Sequence, residues 1–151
     1  MVSRPTYETK SDRQNEFKVA RYLANREGLL AVSMPLRYAV DYAVVNDSGD
    51  VHGWYEIKCR TNPMKAYDTY LLSIGKYHSM LALQHNSGFP VFLAVKWTDC
   101  LGVMGIPAKH TISMGGRKDR GDWQDTEPCA MFPIEQFKVL AKAKGLHNRS
   151  G

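Results

Sequence analysis

The chain has 151 residues, of which 44% are hydrophobic and 23% charged, a composition typical of one soluble domain with its own core. No apolar run approaches the roughly 20 residues of a membrane-spanning helix, and no basic-then-apolar leader opens the chain. Three irregularly spaced cysteines exclude a disulfide framework and fit no zinc site, so we expect a cytoplasmic protein. The net charge of +5 suits a polyanionic partner.

A first helix is predicted after a loose lead-in of residues 1–10. It begins at a capping Ser11, runs to about Glu27 and ends at Gly28. Glu16 falls on the same helical stripe as the apolar residues that follow it, and a carboxylate that points inward needs a partner. Alternatively, Glu16 only favours the positive N-terminal end of the helix.

The next segment predicts a β-hairpin around the turn sequence NDSGD. Asp41 is expected in the middle of its first strand, and Glu56 and Lys58 share one face of its second strand. Neighbouring strands lie about 4.8 Å apart, so Asp41 and Glu56 can meet across the hairpin. Two close carboxylates repel each other unless a cation lies between them, and oxygen ligands of this kind favour Mg²⁺. The alternative is that Glu56 and Lys58 belong to a solvated strand face.

The remaining elements complete a single domain over residues 1–151. Ser73 and Gly88 delimit a second helix, and VFLAVKW and LGVMGIP read as strands. Residues 107–128 are polar and glycine-rich and predict a long loop. A strand around CAMF, a helix from Pro133 to about Lys144, and a tail at 145–151 follow. This order predicts an α/β fold with a central mixed β-sheet flanked by helices.

Basic side chains provide candidate phosphate contacts, each with a plainer alternative. Lys76 could reach a phosphate from the second helix. However, its helical angle places it opposite the apolar residues, which favours an ordinary surface position. The long loop is rich in basic residues that either bind DNA phosphates or are merely solvated: Arg117, Lys118 and Arg120.

Taken together, the helical Glu16, Asp41 and the Glu56-Ile57-Lys58 run resemble the PD-(D/E)XK nuclease superfamily over roughly residues 11–97. The segment LSIGKYHSML looks like the Ser/Lys-bearing helix of phage-type members. The segment DRGDWQDTEPCAMFPIEQF is similar to the ends of some phage-encoded relatives. The sequence departs from the family pattern at Val40, where a proline is expected before the aspartate.

The resemblance implies a restriction-endonuclease-like core and a site that binds Mg²⁺, for which Mn²⁺ can substitute. In that site Asp41, Glu56 and the backbone carbonyl of Ile57 hold the ion. Glu16 contacts it directly or through water, and Lys58 aligns and activates the attacking water.

The expected function is therefore that of a Mg²⁺-dependent nuclease that hydrolyses DNA phosphodiester bonds. Structure-selective cleavage of branched or double-stranded DNA is favoured, because one compact domain has little room for a sequence-reading module. Phage origin and a homodimer that cuts two strands also fit the resemblance. The alternative is a noncatalytic nucleic-acid-binding or virion protein that retains the fold, although the complete quartet of Glu16, Asp41, Glu56 and Lys58 argues against it.

Overall fold

The computed structural model of the chain describes residues 10–114 and 127–143. Two helices, nine strands and two single 3₁₀ turns, Met64–Ala66 and Ile134–Gln136, are found within these residues. The helices are α1, Lys10–Asn25, and α2, Ile74–Ser87. The strands are β1 Leu30–Ser33, β2 Tyr42–Val45, β3 Val51–Cys59, β4 Thr69–Ser73, β5 Val91–Lys96, β6 Cys100–Gly105, β7 Thr111–Ser113, β8 Cys129–Pro133 and β9 Lys138–Lys142.

The strands form a six-stranded sheet in the order β1-β2-β3-β5-β6-β9 and a three-stranded sheet in the order β4-β8-β7. Strands β3 and β5 are parallel, whereas the other neighbours in both sheets are antiparallel. A parallel pair needs a crossover connection, and here β4 and α2 provide it. The predicted α/β fold with a central mixed sheet is confirmed.

The large sheet is covered on both faces. On one face, Val19, Ala20 and Leu23 of α1 pack against Ile57 and its neighbours on the sheet. On the other face, the small sheet and α2 share a core with β5. Successive side chains of a strand point to opposite faces. Ile57 therefore faces α1, whereas Glu56 and Lys58 face the layer that contains α2.

Local sequence signals set several boundaries as predicted. In the hairpin turn, the side chain of Asn46 accepts hydrogen bonds from the backbone N–H groups of Ser48 and Asp50 at 3.0 and 2.9 Å. Helix α2 has Ser73 as its N-cap and ends at Gly88, which adopts φ 76°. Helix α1 already includes Lys10, so Ser11 lies inside the helix and not at its cap.

The first hairpin strand is shorter than predicted, because Asp41 lies in a bend immediately before β2. The chain closes a loop there: the N–H of Met34 donates to the carbonyl of Asp41 at 2.8 Å. Within the loop, the N–H of Tyr38 donates to the carbonyl of Pro35, and Arg37 adopts φ 72°. A turn after a proline thus replaces the expected extended strand.

The predicted helix from Pro133 to Lys144 is wrong. Only a 3₁₀ turn follows Pro133, and Lys138–Lys142 then form β9, which pairs antiparallel with β6. A helix here would leave the outer edge of β6 without a partner, and the strand pairs with that edge instead. In addition, the buried Phe137 packs against Trp97, with 5.2 Å between the ring centroids. The expected long loop at 107–128 is also interrupted, because β7 pairs there with β8.

Candidate active site

Glu56 is the central residue of the site, because it is a carboxylate with only 1% of its surface exposed. No other charged residue is buried among those whose burial the structure describes. A buried charge requires a partner. Lys58, two residues along the same face of β3, places its Nζ 3.2 Å from Glu56 Oε2.

A second ammonium reaches Glu56 from α2. The Nζ of Lys76 lies 3.4 Å from Glu56 Oε1, so each carboxylate oxygen has its own lysine. Lys76 also donates to the carbonyl of Ala39 at 3.2 Å, in the loop that leads to Asp41. The favoured surface position of Lys76 is therefore wrong. A lysine in the first turn of a helix, where the macrodipole disfavours cations, was the signal that an anionic partner was near.

Asp41 reaches the same site through the backbone. Its Oδ2 accepts a hydrogen bond from the N–H of Ile57 at 2.8 Å, and its own N–H donates to the carbonyl of Tyr55 at 3.2 Å. The side chain of Asp41 thus accepts the hydrogen bond that a backbone carbonyl of a neighbouring strand would otherwise accept from Ile57. This contact fixes the carboxylate of Asp41 beside the Glu56-Ile57-Lys58 segment.

The acid–base properties of Asp41 follow from this placement. Burial, followed by the charge of Glu56, raises the pKa of Asp41 from 3.8 to about 6. The hydrogen bond from Ile57 and the charges of Lys58 and Lys76 oppose the increase without cancelling it. Asp41 and Glu56 are therefore close enough to repel each other, as the hairpin pattern predicted.

Lys58 remains a firm cation. Burial acts to lower the pKa of Lys58, but the charges of Glu56, Tyr70 and Asp41 and the hydrogen bond to Glu56 outweigh it. The resulting pKa of Lys58 lies above its ordinary value of 10.5. The site accordingly contains two carboxylates, Asp41 and Glu56, and two ammonium groups, Lys58 and Lys76. When all four are ionised, their net charge is zero.

The other predicted site residues are Glu16 and three basic residues of the long loop. Glu16 is half-buried on α1, which packs on the opposite face of the sheet from Glu56. Within residues 10–114 and 127–143, no group of three or more His, Cys, Asp or Glu side chains could hold a metal ion. The predicted DNA-contacting residues of the long loop lie outside the described residues: Arg117, Lys118 and Arg120.

The donor set fits a hard divalent cation. Asp41 and Glu56 offer oxygen atoms only, and the charge of Glu56 adds to the effect of burial in raising the pKa of Asp41. Mg²⁺ is held in proteins by one or two carboxylates and keeps several waters. Two adjacent carboxylates therefore suffice as its protein ligands, and a third carboxylate is not required.

Comparison with known proteins identifies the family to which this site belongs. A family model described as "Phage putative PDDEXK endonuclease" matches residues 2–140. The chain belongs to this family. The chain is therefore a PDDEXK-type nuclease.

A structural comparison supports the fold of this PDDEXK chain. The structure is similar to that of Hjc, a Holliday junction resolvase from the archaeal hyperthermophile Archaeoglobus fulgidus. The TM-score is 0.54 at 15% sequence identity, and the match covers 92% of this chain and 97% of Hjc. No curated protein matches the sequence. No helix in the part of the PDDEXK chain that the structure describes is long and apolar enough to cross a membrane.

Proposed function

We propose that this chain is a Mg²⁺-dependent nuclease of phage origin that hydrolyses the phosphodiester bonds of DNA. The observation that carries the proposal is the meeting of Asp41, Glu56 and Lys58 at one buried point of a PDDEXK fold. A surface strand has no need to bury a carboxylate between two lysines. The solvated-face alternative for Glu56 and Lys58 therefore does not account for the site.

Each residue has a distinct role in the proposed reaction. Asp41 and Glu56, with the backbone carbonyl of Ile57, would hold Mg²⁺ or Mn²⁺. Such an ion supplies positive charge to the phosphate and to the attacking water. Lys58, 3.2 Å from Glu56 Oε2, would align and activate the attacking water. Its ammonium would also neutralise charge on the pentavalent phosphate.

The proposed substrate is branched or double-stranded DNA, cut by a structure-selective endonuclease. The likeness to Hjc, which is named a Holliday junction resolvase, supports this choice of substrate. Lys76 and the basic residues of the long loop are proposed phosphate contacts, and a homodimer would place two sites on two strands. Glu16 is proposed as an additional ligand, directly or through water.

Cleavage assays test the proposal. The protein is incubated with supercoiled, linear, branched and single-stranded DNA in Mg²⁺, in Mn²⁺ or in a chelator. We expect cleavage only with a divalent ion, and a loss of about 10²–10⁴-fold for Lys58→Ala in single-turnover reactions. Asp47→Asn, in the exposed hairpin turn, is the control. Salt-sensitive DNA binding without cleavage of any substrate would instead indicate the noncatalytic alternative.

Two further variants separate the roles of the carboxylates. Asp41→Asn should lose Mg²⁺ binding and cleavage together, yet keep DNA binding, because its removal relieves repulsion of phosphate. Glu16→Gln should reduce cleavage if it contacts the ion. Cleavage by Glu16→Gln at the parent rate would limit the carboxylate ligands to Asp41 and Glu56.

A further inference from the structure

Glu56 has more positive charge around it than one carboxylate requires. Lys58, two residues away on the same strand, already places its Nζ 3.2 Å from Glu56 Oε2. Lys76 adds a second ammonium at Oε1, and it does so from the first turn of α2. A cation in the first turn of a helix is disfavoured by the macrodipole. The position of Lys76 therefore destabilises the helix, and the interaction with the Glu56 carboxylate offsets that destabilisation.

The four charges balance only while no divalent ion is bound. Asp41 and Glu56 supply two negative charges, and Lys58 and Lys76 supply two positive ones. A bound Mg²⁺ would bring the group to a net charge of +2 in a partly buried setting, where like charges repel more strongly than in water. One ammonium must then move away from Glu56 or accept a new anionic partner.

Lys76 is the ammonium placed to move. It approaches Glu56 from another element at 3.4 Å, whereas Lys58 lies on the same strand as Glu56 at 3.2 Å. Its other hydrogen bond is to a neutral acceptor, the carbonyl of Ala39.

We propose that Lys76 is the resident counter-cation of the site. Its ammonium neutralises Glu56 in the metal-free protein, competes with the divalent ion for Oε1, and is released by that ion to contact a DNA phosphate. The proposal rests on the proposed function, because it takes Asp41 and Glu56 as the metal ligands. It makes Lys76 a positioning residue that couples the two ligands: Mg²⁺ frees the ammonium that binds DNA, and each therefore tightens the other.

The test compares Lys76→Met with a matched control. Methionine retains an unbranched apolar chain and favours a helix. Lys138→Met removes the same charge from an exposed position of β9, three strands away from β3 in the sheet. Three strand spacings amount to about 14 Å, beyond the Debye length at 0.1 M salt.

Titration calorimetry with Mg²⁺ alone gives the deciding result. Lys76→Met should bind Mg²⁺ about tenfold more tightly than the parent, and it should bind DNA more weakly in the presence of Mg²⁺. Lys138→Met should bind Mg²⁺ as the parent does. A Lys76 that only supports the fold would produce unchanged or weaker Mg²⁺ binding in Lys76→Met, and that result would overturn the inference while leaving the proposed nuclease intact.

A second measurement uses the parent protein and so does not depend on the variant folding. Amine acetylation followed by mass spectrometry reports how accessible each lysine is. Labelling of Lys76 should rise when Mg²⁺ is added, whereas labelling of Lys138 should not change. Unchanged Lys76 labelling in Mg²⁺-saturated protein would refute the release step. A parent protein that binds no Mg²⁺, with or without DNA, and cuts no DNA would overturn the proposed function itself.

Discussion

Replacement of Asp41 with asparagine should stabilise the metal-free protein at neutral pH, although it removes a residue of the site. The folded protein raises the pKa of Asp41 from 3.8 to about 6, chiefly through burial and then through the charge of Glu56. The folded state therefore holds this proton more tightly than the unfolded state does. Stability contributed by the protonated carboxyl is lost as the pH rises from about 4 to about 6.

The magnitude follows from the size of the pKa shift. Each pKa unit corresponds to 1.36 kcal/mol, so the change from 3.8 to about 6 makes ionised Asp41 cost at most about 3 kcal/mol. Asparagine carries no charge, and its carbonyl oxygen can still accept the hydrogen bond that Ile57 donates at 2.8 Å. Asp41→Asn should therefore match the parent near pH 4 and exceed its free energy of unfolding by about 2–3 kcal/mol above pH 7.

Urea denaturation of both proteins in chelator, between pH 4 and 8, measures this difference. The plot of the difference against pH should rise through a midpoint between the two pKa values. Asp47→Asn, which removes an exposed carboxylate from the hairpin turn, should give a small difference at every pH. If Asp41→Asn is less stable than the parent by the same amount at every pH, Asp41 acts as a structural cap and the electrostatic reasoning fails.

Three other predictions concern the ion, DNA and the core. Mg²⁺ at one hundred times its Kd should raise the free energy of unfolding by about 2.7 kcal/mol in the parent and not in Asp41→Asn; equal calorimetric gains would exclude Asp41 as a ligand. Gly102→Ala should lower the free energy of unfolding by about 1–3 kcal/mol, because the new Cβ would lie 2.9 Å from the Trp97 ring. Gly105→Ala is the control, since its Cβ would meet ordinary contacts at 3.6 Å. Equal urea midpoints for the two variants would contradict this prediction. Replacement of Arg117, Lys118 and Arg120 together with alanine should flatten the slope of log DNA affinity against log salt concentration by about 2.7. An unchanged slope would mean that these residues do not contact DNA phosphates.

The parts of the fold that short-range signals determine could be predicted from the sequence. Gly88 and Ser73 delimit α2 because a left-handed residue and a side-chain cap act within one helical turn. Glu56 and Lys58 were placed on one face because a strand repeats every two residues. These local rules were sufficient to bring the main carboxylate and its first lysine together.

The errors arose where distant contacts determine the structure. The segment after Pro133 resembles a short helix, yet it becomes β9 because β6 offers an unpaired edge and Phe137 has a place in the core. The helical angle of Lys76 shows only its position around α2, and not that this end of the helix lies against Glu56. The pattern within either segment does not identify the particular residue or strand that it contacts.

The pairing of β9 with β6 also affects how the protein is made. During synthesis β6 leaves the ribosome well before β9, so one edge of the large sheet has no partner until residues 138–142 emerge. An unpaired edge is a template for association with other chains. By contrast, the residues that assemble the charged site belong to one continuous stretch, from Asp41 to Lys76. All four charged residues are therefore synthesised before β6, and the strand that covers the open edge of the sheet is synthesised last among the described strands.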